Sequence, residues 1–98
     1  TIVDTGVALE ESRNHWRAIF EATLGGRPVT RVICTHMHPD HMGLAGWICR
    51  KFGAPLWMSR LEYVTGRMLV ADTGRDAPEE GVKFYRAAGW DEDMLDSY

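Results

Sequence analysis

The sequence predicts an α/β fold: a small parallel sheet of short strands alternating with helices, followed by a helical C-terminal segment. Three observations predict it. Apolar, β-rich runs lie at residues 1–4, 29–35 and 55–59. The stretches between them, 9–24 and 42–52, repeat apolar residues at helical spacing instead of alternating them. Nothing after residue 59 reads as a strand, and the order strand, helix, strand, helix, strand calls for right-handed crossovers and parallel pairing.

Taken in order, "TIVD" is a β-branched run stopped by Thr5-Gly6, the end of a buried strand. From Leu9 to Leu24, Trp16, Ile19, Phe20, Thr23 and Leu24 recur at helical spacing. Glu10 and Glu11 favour the first turn, and Gly25-Gly26 is the stop. "PVTRVICT" is the second strand. "MGLAGWICRKFG" then places Leu44, Trp47, Ile48 and Phe52 on one helical face, with Gly53 at its end. "APLWMS" is the third strand. Beyond it, Leu61, Val64, Met68 and Leu69 share a helical face, Pro78-Glu79-Glu80 opens a further helix, and Met94, Leu95 and Tyr98 fall at helical spacing in an acidic end.

The chain of 98 residues suits one small domain. A net charge of −3 argues against nucleic-acid binding, for which a clustered basic excess is usual. No apolar run approaches the ~20 residues that span a bilayer, so no membrane partner is expected. Cys34 and Cys49 form no CxxC pair and are expected to be buried free thiols in a reducing, cytoplasmic setting. The tripeptide Asp-Thr-Gly occurs at 4–6 and 72–74. An aspartic-protease dyad is excluded, because the second copy ends a helix, with Thr73-Gly74 as its cap and Asp72 on the surface. The aromatic residues Trp47, Trp57, Tyr63, Tyr85, Trp90 and Tyr98 are expected to pack rather than to line a substrate pocket.

The chemistry concentrates in "THMHPDHMG", where His36, His38, Asp40 and His41 fall within six positions directly after the second strand. In extended backbone, residues i and i+2 project to one side, so His36 and His38 are spaced to grip one ion. Pro39 bends the chain and puts Asp40 and His41 at the start of the next helix, facing the same place. Imidazole and carboxylate donors together suit zinc, with iron or manganese as further candidates. The carboxyl ends of strands are also where open α/β sheets carry their sites. His15, alone within the first helix, is expected to be exposed or at the core edge and not a ligand.

"THMHPDHMG" resembles the HxHxDH signature of the metallo-β-lactamase-fold hydrolases, and "IVDTG" resembles the strand and turn that precede it in that family. The resemblance covers about residues 1 to 60. It implies a partial αββα sandwich, with 1–59 as part of the metallo-hydrolase domain and 60–98 as a helical segment, a lid or an insertion. By position it implies that His36 and His38 bind a first zinc, and that Asp40 and His41 bind a second. Two ions about 3.5–4 Å apart supply a metal-bound hydroxide that cleaves an ester, thioester or lactam. Asp40 would also act catalytically by orienting that hydroxide, and Asp4 would support the loop without being a ligand. The Asp40-His41 pair is similar to that of the hydroxyacylglutathione hydrolase type of thioesterase. Alternative readings are a phosphodiesterase or RNA-processing nuclease of the same fold, and a non-catalytic metal-binding module.

The family draws a further His, Asp and His from later in its chain, yet no histidine follows His41 here. The sequence also opens without methionine, inside a strand. It is therefore expected to be a piece of a longer protein. Alone, it is expected to bind metal weakly or not at all, to be inactive toward its small-molecule substrate, and to form a homo-oligomer.

Overall fold

The structure, a computed structural model, describes residues 1–97. Strand β1 (Ile2–Val3) leads to helix α1 (Glu10–Ala22), then β2 (Val32–Ile33), a short helix α2 (Pro39–Met42), α3 (Ala45–Phe52) and β3 (Leu56–Trp57). Helices α4 (Arg60–Asp72), α5 (Glu79–Ala87) and α6 (Glu92–Asp96) complete the chain. The three strands form one parallel sheet in the order β1-β2-β3, pairing Ile2 with Val32 and Val32 with Leu56.

The expected strands are in place but shorter than 1–4, 29–35 and 55–59. The first ends because Asp4 takes a positive φ of 55°, which turns the chain out of the sheet. The second ends because the Thr35 amide donates to the Asp4 carboxylate (2.8 Å) and not to a neighbouring strand. The single helix expected over 42–52 is two. Pro39 starts α2, and α3 begins only after Gly43 and Leu44.

One face of the sheet is covered. Val32 is fully buried beneath α3, whose Ala45 and Ile48 are also buried, and Trp16 and Phe20 of α1, with Leu24 just beyond its end, pack at the margin. Phe20 lies against Trp47 and meets Phe52 edge-on, with centroids 6.0 and 4.9 Å apart, which locks α1 to α3. The opposite face, carrying Val3 and Trp57, is exposed. Among the described residues the helices thus cover one side of the sheet.

Helices α4 to α6 extend away from this base, and the molecule measures 53 × 28 × 19 Å with a radius of gyration of 17.3 Å. A compact domain of this length would have a radius near 13 Å. The face expected to be buried on α4 is exposed instead, with Leu61 at 75% and Val64 and Met68 at 55%. The aromatic residues also depart from expectation. Trp47 packs at the core and Trp90 stacks on Tyr85 (4.3 Å), but Trp57 and Tyr63 are exposed, and Trp57 carries the Arg31 guanidinium 4.0 Å above its ring. Tyr98 lies outside the described residues. Cys34 is buried and Cys49 partly so, both as free thiols, and burial pushes the Cys34 thiol up to about 11. No helix among the described residues is long and apolar enough to cross a membrane.

Candidate metal centre

The site is built on the turn where β1 ends. Thr5, 1% exposed, fixes this turn against the segment after the histidines. Its amide and its hydroxyl both donate to the His41 carbonyl (2.7 and 2.9 Å), and its oxygen accepts from the Leu44 amide (3.1 Å). The Trp16 indole donates to the Thr5 carbonyl (2.8 Å), so α1 holds the turn from behind. Gly43 completes the closure. A Cβ there would lie 2.5 Å from the Pro39 carbonyl oxygen, 2.7 Å from the Ala8 nitrogen and 2.8 Å from the Gly6 oxygen. No side chain fits, which explains the glycine at the end of the motif.

Asp4 then organises two histidines. Its carboxylate receives the Thr35 amide and the Thr35 hydroxyl (2.9 Å to Oδ2), and it meets His41 Nδ1 at 2.9 Å. Since the Thr35 proton goes to Asp4, the Thr35 oxygen is left to accept from His36 Nδ1, 2.9 Å away. This hydrogen-bond balance places a proton on Nδ1 of both His36 and His41, so that in the neutral rings Nε2 is the atom left to act as a ligand. The His41 hydrogen bond is the main cause that holds the Asp4 carboxyl down to about 2, with the Thr35 amide next. The same bond raises the His41 imidazole above its ordinary value.

The predicted residues come together. The His36 ring lies 4.0 Å from that of His41 and 4.8 Å from that of His38, centroid to centroid. Asp40 Oδ2 stands 3.4 Å from His41 Nε2, and the Asp40 side chain is largely exposed. Asp4, Asp40 and His41 border a groove of about 350 Å³ whose far wall is Ser12, His15 and Trp16 of α1. His15 is exposed there, as expected of it. In kind, three imidazoles and a carboxylate suit a zinc-type ion. In number they converge pairwise: among the described residues no three His, Cys, Asp or Glu side chains form a group able to hold one ion.

Sequence reasoning placed Asp4 correctly as a support and missed two residues. Thr5 was legible only as a turn residue, although a buried threonine between Asp and Gly needs hydrogen-bond partners. Glu62 carried no signal. Its Oε2 accepts from the Met37 amide at 2.8 Å, across 25 positions of sequence. The second Asp-Thr-Gly does other work, with the Thr73 hydroxyl donating to the Leu69 carbonyl at the end of α4.

A parallel sheet with a histidine- and carboxylate-bearing loop at the carboxyl end of its middle strand defines a class, the α/β proteins whose polar residues gather at the strand ends. Comparison with known proteins makes this specific. The family model of the Metallo-beta-lactamase superfamily matches residues 1–96. Among solved structures, the chain is similar to a beta-lactamase domain protein from Burkholderia ambifaria, at 44% identity and a TM-score of 0.67 over 70% of this chain. The match spans 22% of that protein's length. No curated protein matches significantly. The chain belongs to the metallo-beta-lactamase superfamily, whose members are generally hydrolases.

Proposed function

We propose that this chain carries part of the active centre of a dinuclear metal hydrolase, with zinc as the metal and an ester, thioester or lactam as the substrate. The observation that carries the reading is the Asp4 carboxylate, which orients His41 directly and His36 through Thr35, so that in each neutral ring Nε2 is the atom turned to ligation. That arrangement has a purpose where imidazoles serve as ligands, since an outer carboxylate fixes the tautomer and raises donor strength. His36 and His38 would hold one ion and Asp40 and His41 the other. When bound, the metal supplies Lewis-acid activation of water and of the scissile carbonyl at neutral pH. Asp40, exposed beside the groove, is placed to orient an incoming water and take its proton. The adjacency of Asp40 and His41 supports the hydroxyacylglutathione-hydrolase-like arm of the family and hence a thioester.

Metal content, with turnover of a thioester and of bis-nitrophenyl phosphate, tests the reading. Chelator-sensitive thioester hydrolysis supports it, while preference for the phosphodiester shifts it to the nuclease branch. The pairwise convergence of donors favours a second reading for the 98 residues in isolation, a metal-binding module without turnover. The net charge of −3 and the free thiols support, respectively, a small-molecule substrate over nucleic acid and a cytoplasmic location. The exposed sheet face and the stripe on α4 support self-association.

A further inference from the structure

We propose that Glu62 of α4 is a positioning residue for the metal-binding loop, acting through the Met37 peptide that joins His36 to His38; this rests on the metal-centre reading above. The backbone on either side of His36 is held by carboxylates from elsewhere in the fold. The Thr35 amide donates to Asp4 and the Met37 amide to Glu62, each at 2.8 Å. Bonds of an amide to an ionised carboxylate are roughly twice as strong as neutral ones, so the peptides flanking this ligand are fixed in direction as well as in place.

The local sequence offers Glu62 a different partner. Ser59-Arg60-Leu61-Glu62 has the pattern of a capping box, and Ser59 Oγ duly accepts from the Glu62 amide (3.3 Å). In a complete box the glutamate would return to the amide of the capping residue. Here its carboxylate crosses to the histidine loop. One turn later Gly66 brings α4 against the same loop. A Cβ at Gly66 would meet the movable end of Met42 (Cε, 2.9 Å) and lie 3.3 Å from Met37 Cβ, so α4 sits close against the loop here. Met37, alternating with its neighbours, turns toward α4 while His36 and His38 turn to the other side. The helix therefore buttresses the loop on its Met37 side.

The test contrasts two substitutions in the 98-residue chain. Glu62→Gln keeps the reach and the acceptor oxygen but loses the charge. Glu62→Asp keeps the charge, and suits the first turn of a helix, but is one methylene too short. In the metal-free chain, Glu62→Asp is expected to speed Met37 amide exchange about tenfold or more and to move the imidazole resonances of His36 and His38, with His15 as the unmoved reference. Glu62→Gln is expected to stay close to wild type. Cobalt(II) affinity should follow the same order, falling about 10–100-fold for Glu62→Asp, the range seen when an outer support of a ligand is lost. Unchanged exchange and resonances in Glu62→Asp would overturn the proposal. So would the reverse order, with Gln impaired and Asp normal, because it would make Glu62 a distant charge and not an anchor. Undiminished metal content and turnover of the protein after His38→Ala, while Glu62→Asp still frees the loop, would sink the metal reading and leave the positioning role standing.

Discussion

Residues 1–59 and 60–97 are both amphipathic in pattern, and they hold together by different means. The first region is knitted by contacts distant in sequence: Thr5 to Leu44, Asp4 to Thr35 and His41, Trp16 to Thr5, and the buried set of Val32, Cys34, Ala45 and Ile48. The second relies on local bonds, such as Arg86 with Glu92 (3.0 Å), Lys83 with Glu79 (2.6 Å) and the Asp91 cap on the Met94 amide (2.9 Å). Exposed pairs of this kind contribute only about 0–1 kcal/mol each. The difference teaches that helical periodicity fixes the element but not its burial, which needs a facing surface. The histidine cluster stands on the knitted side. The helical side reaches it through Glu62 and the close approach at Gly66.

The sharpest way to break this picture is at the centre itself. His38→Ala should abolish metal occupancy and turnover of the protein, a larger loss than the roughly 100-fold that follows removal of an outer partner. Metal analysis and thioester assays check it, and undiminished activity would sink the proposed function. Next in size come packing changes. Ile48→Ala empties a fully buried position and should cost about 2–5 kcal/mol by urea denaturation. Gly43→Ala forces a methyl against three backbone atoms, and should cost about 1–3 kcal/mol or more. Gly46→Ala, whose nearest neighbour at 3.1 Å is the movable end of Arg50, should instead be neutral or stabilising. Equal effects at Gly43 and Gly46 would show that the turn is looser than described.

A smaller effect is expected from pH. In the metal-free chain the Asp4 carboxyl is held down to about 2 from an ordinary 3.8. Its contribution is therefore present above about 3.8 and lost as pH falls through about 2. The His41 imidazole is raised above its ordinary 6.5, so its contribution is complete below that value and lost as pH rises through the raised one. The pair supports the fold most between these limits, near pH 4 to 6.5. Asp4→Asn should flatten that part of the stability curve, measured by urea midpoints across pH. An unchanged profile would remove Asp4 as the organiser of His41.

What could be read from the sequence follows the same division. The order of elements and the gathering of His36, His38, Asp40 and His41 were legible because each depends on local chemistry: β-branched runs, helical spacing, alternation of side chains and a proline. Strand lengths were not, since Asp4 and Thr35 end the ladder by bonding to each other across 31 positions. Nor could the role of Glu62 be seen, because its local pattern points to a helix cap and its partner is 25 positions away. The apolar stripe on α4 misled for a related reason. Spacing identified the face, but burial was inferred from it, and no element among the described residues covers that face.

That stripe makes the last prediction the smallest in size and the most informative about the comparison. If α4 is solvated in the working protein, Leu61→Ala should change stability by no more than about 0.5 kcal/mol, the usual range for a surface position. The contrast with Ile48→Ala, about fourfold or more, would then measure how unequal the two regions are. If copies of the chain associate through this face, Leu61 is buried in the assembly. Its truncation should then lower the denaturation midpoint in a concentration-dependent way, because association stabilises by mass action. Leu61, Val64 and Met68 recur at intervals of three and four along α4, which is the spacing of a helix-pairing seam. Sedimentation of wild type and of Leu61→Glu separates the cases. A larger species that the glutamate dissolves assigns the stripe to self-association. A monomer in both leaves α4 supported by the histidine loop alone, and makes the Glu62 anchor its principal tie to the fold.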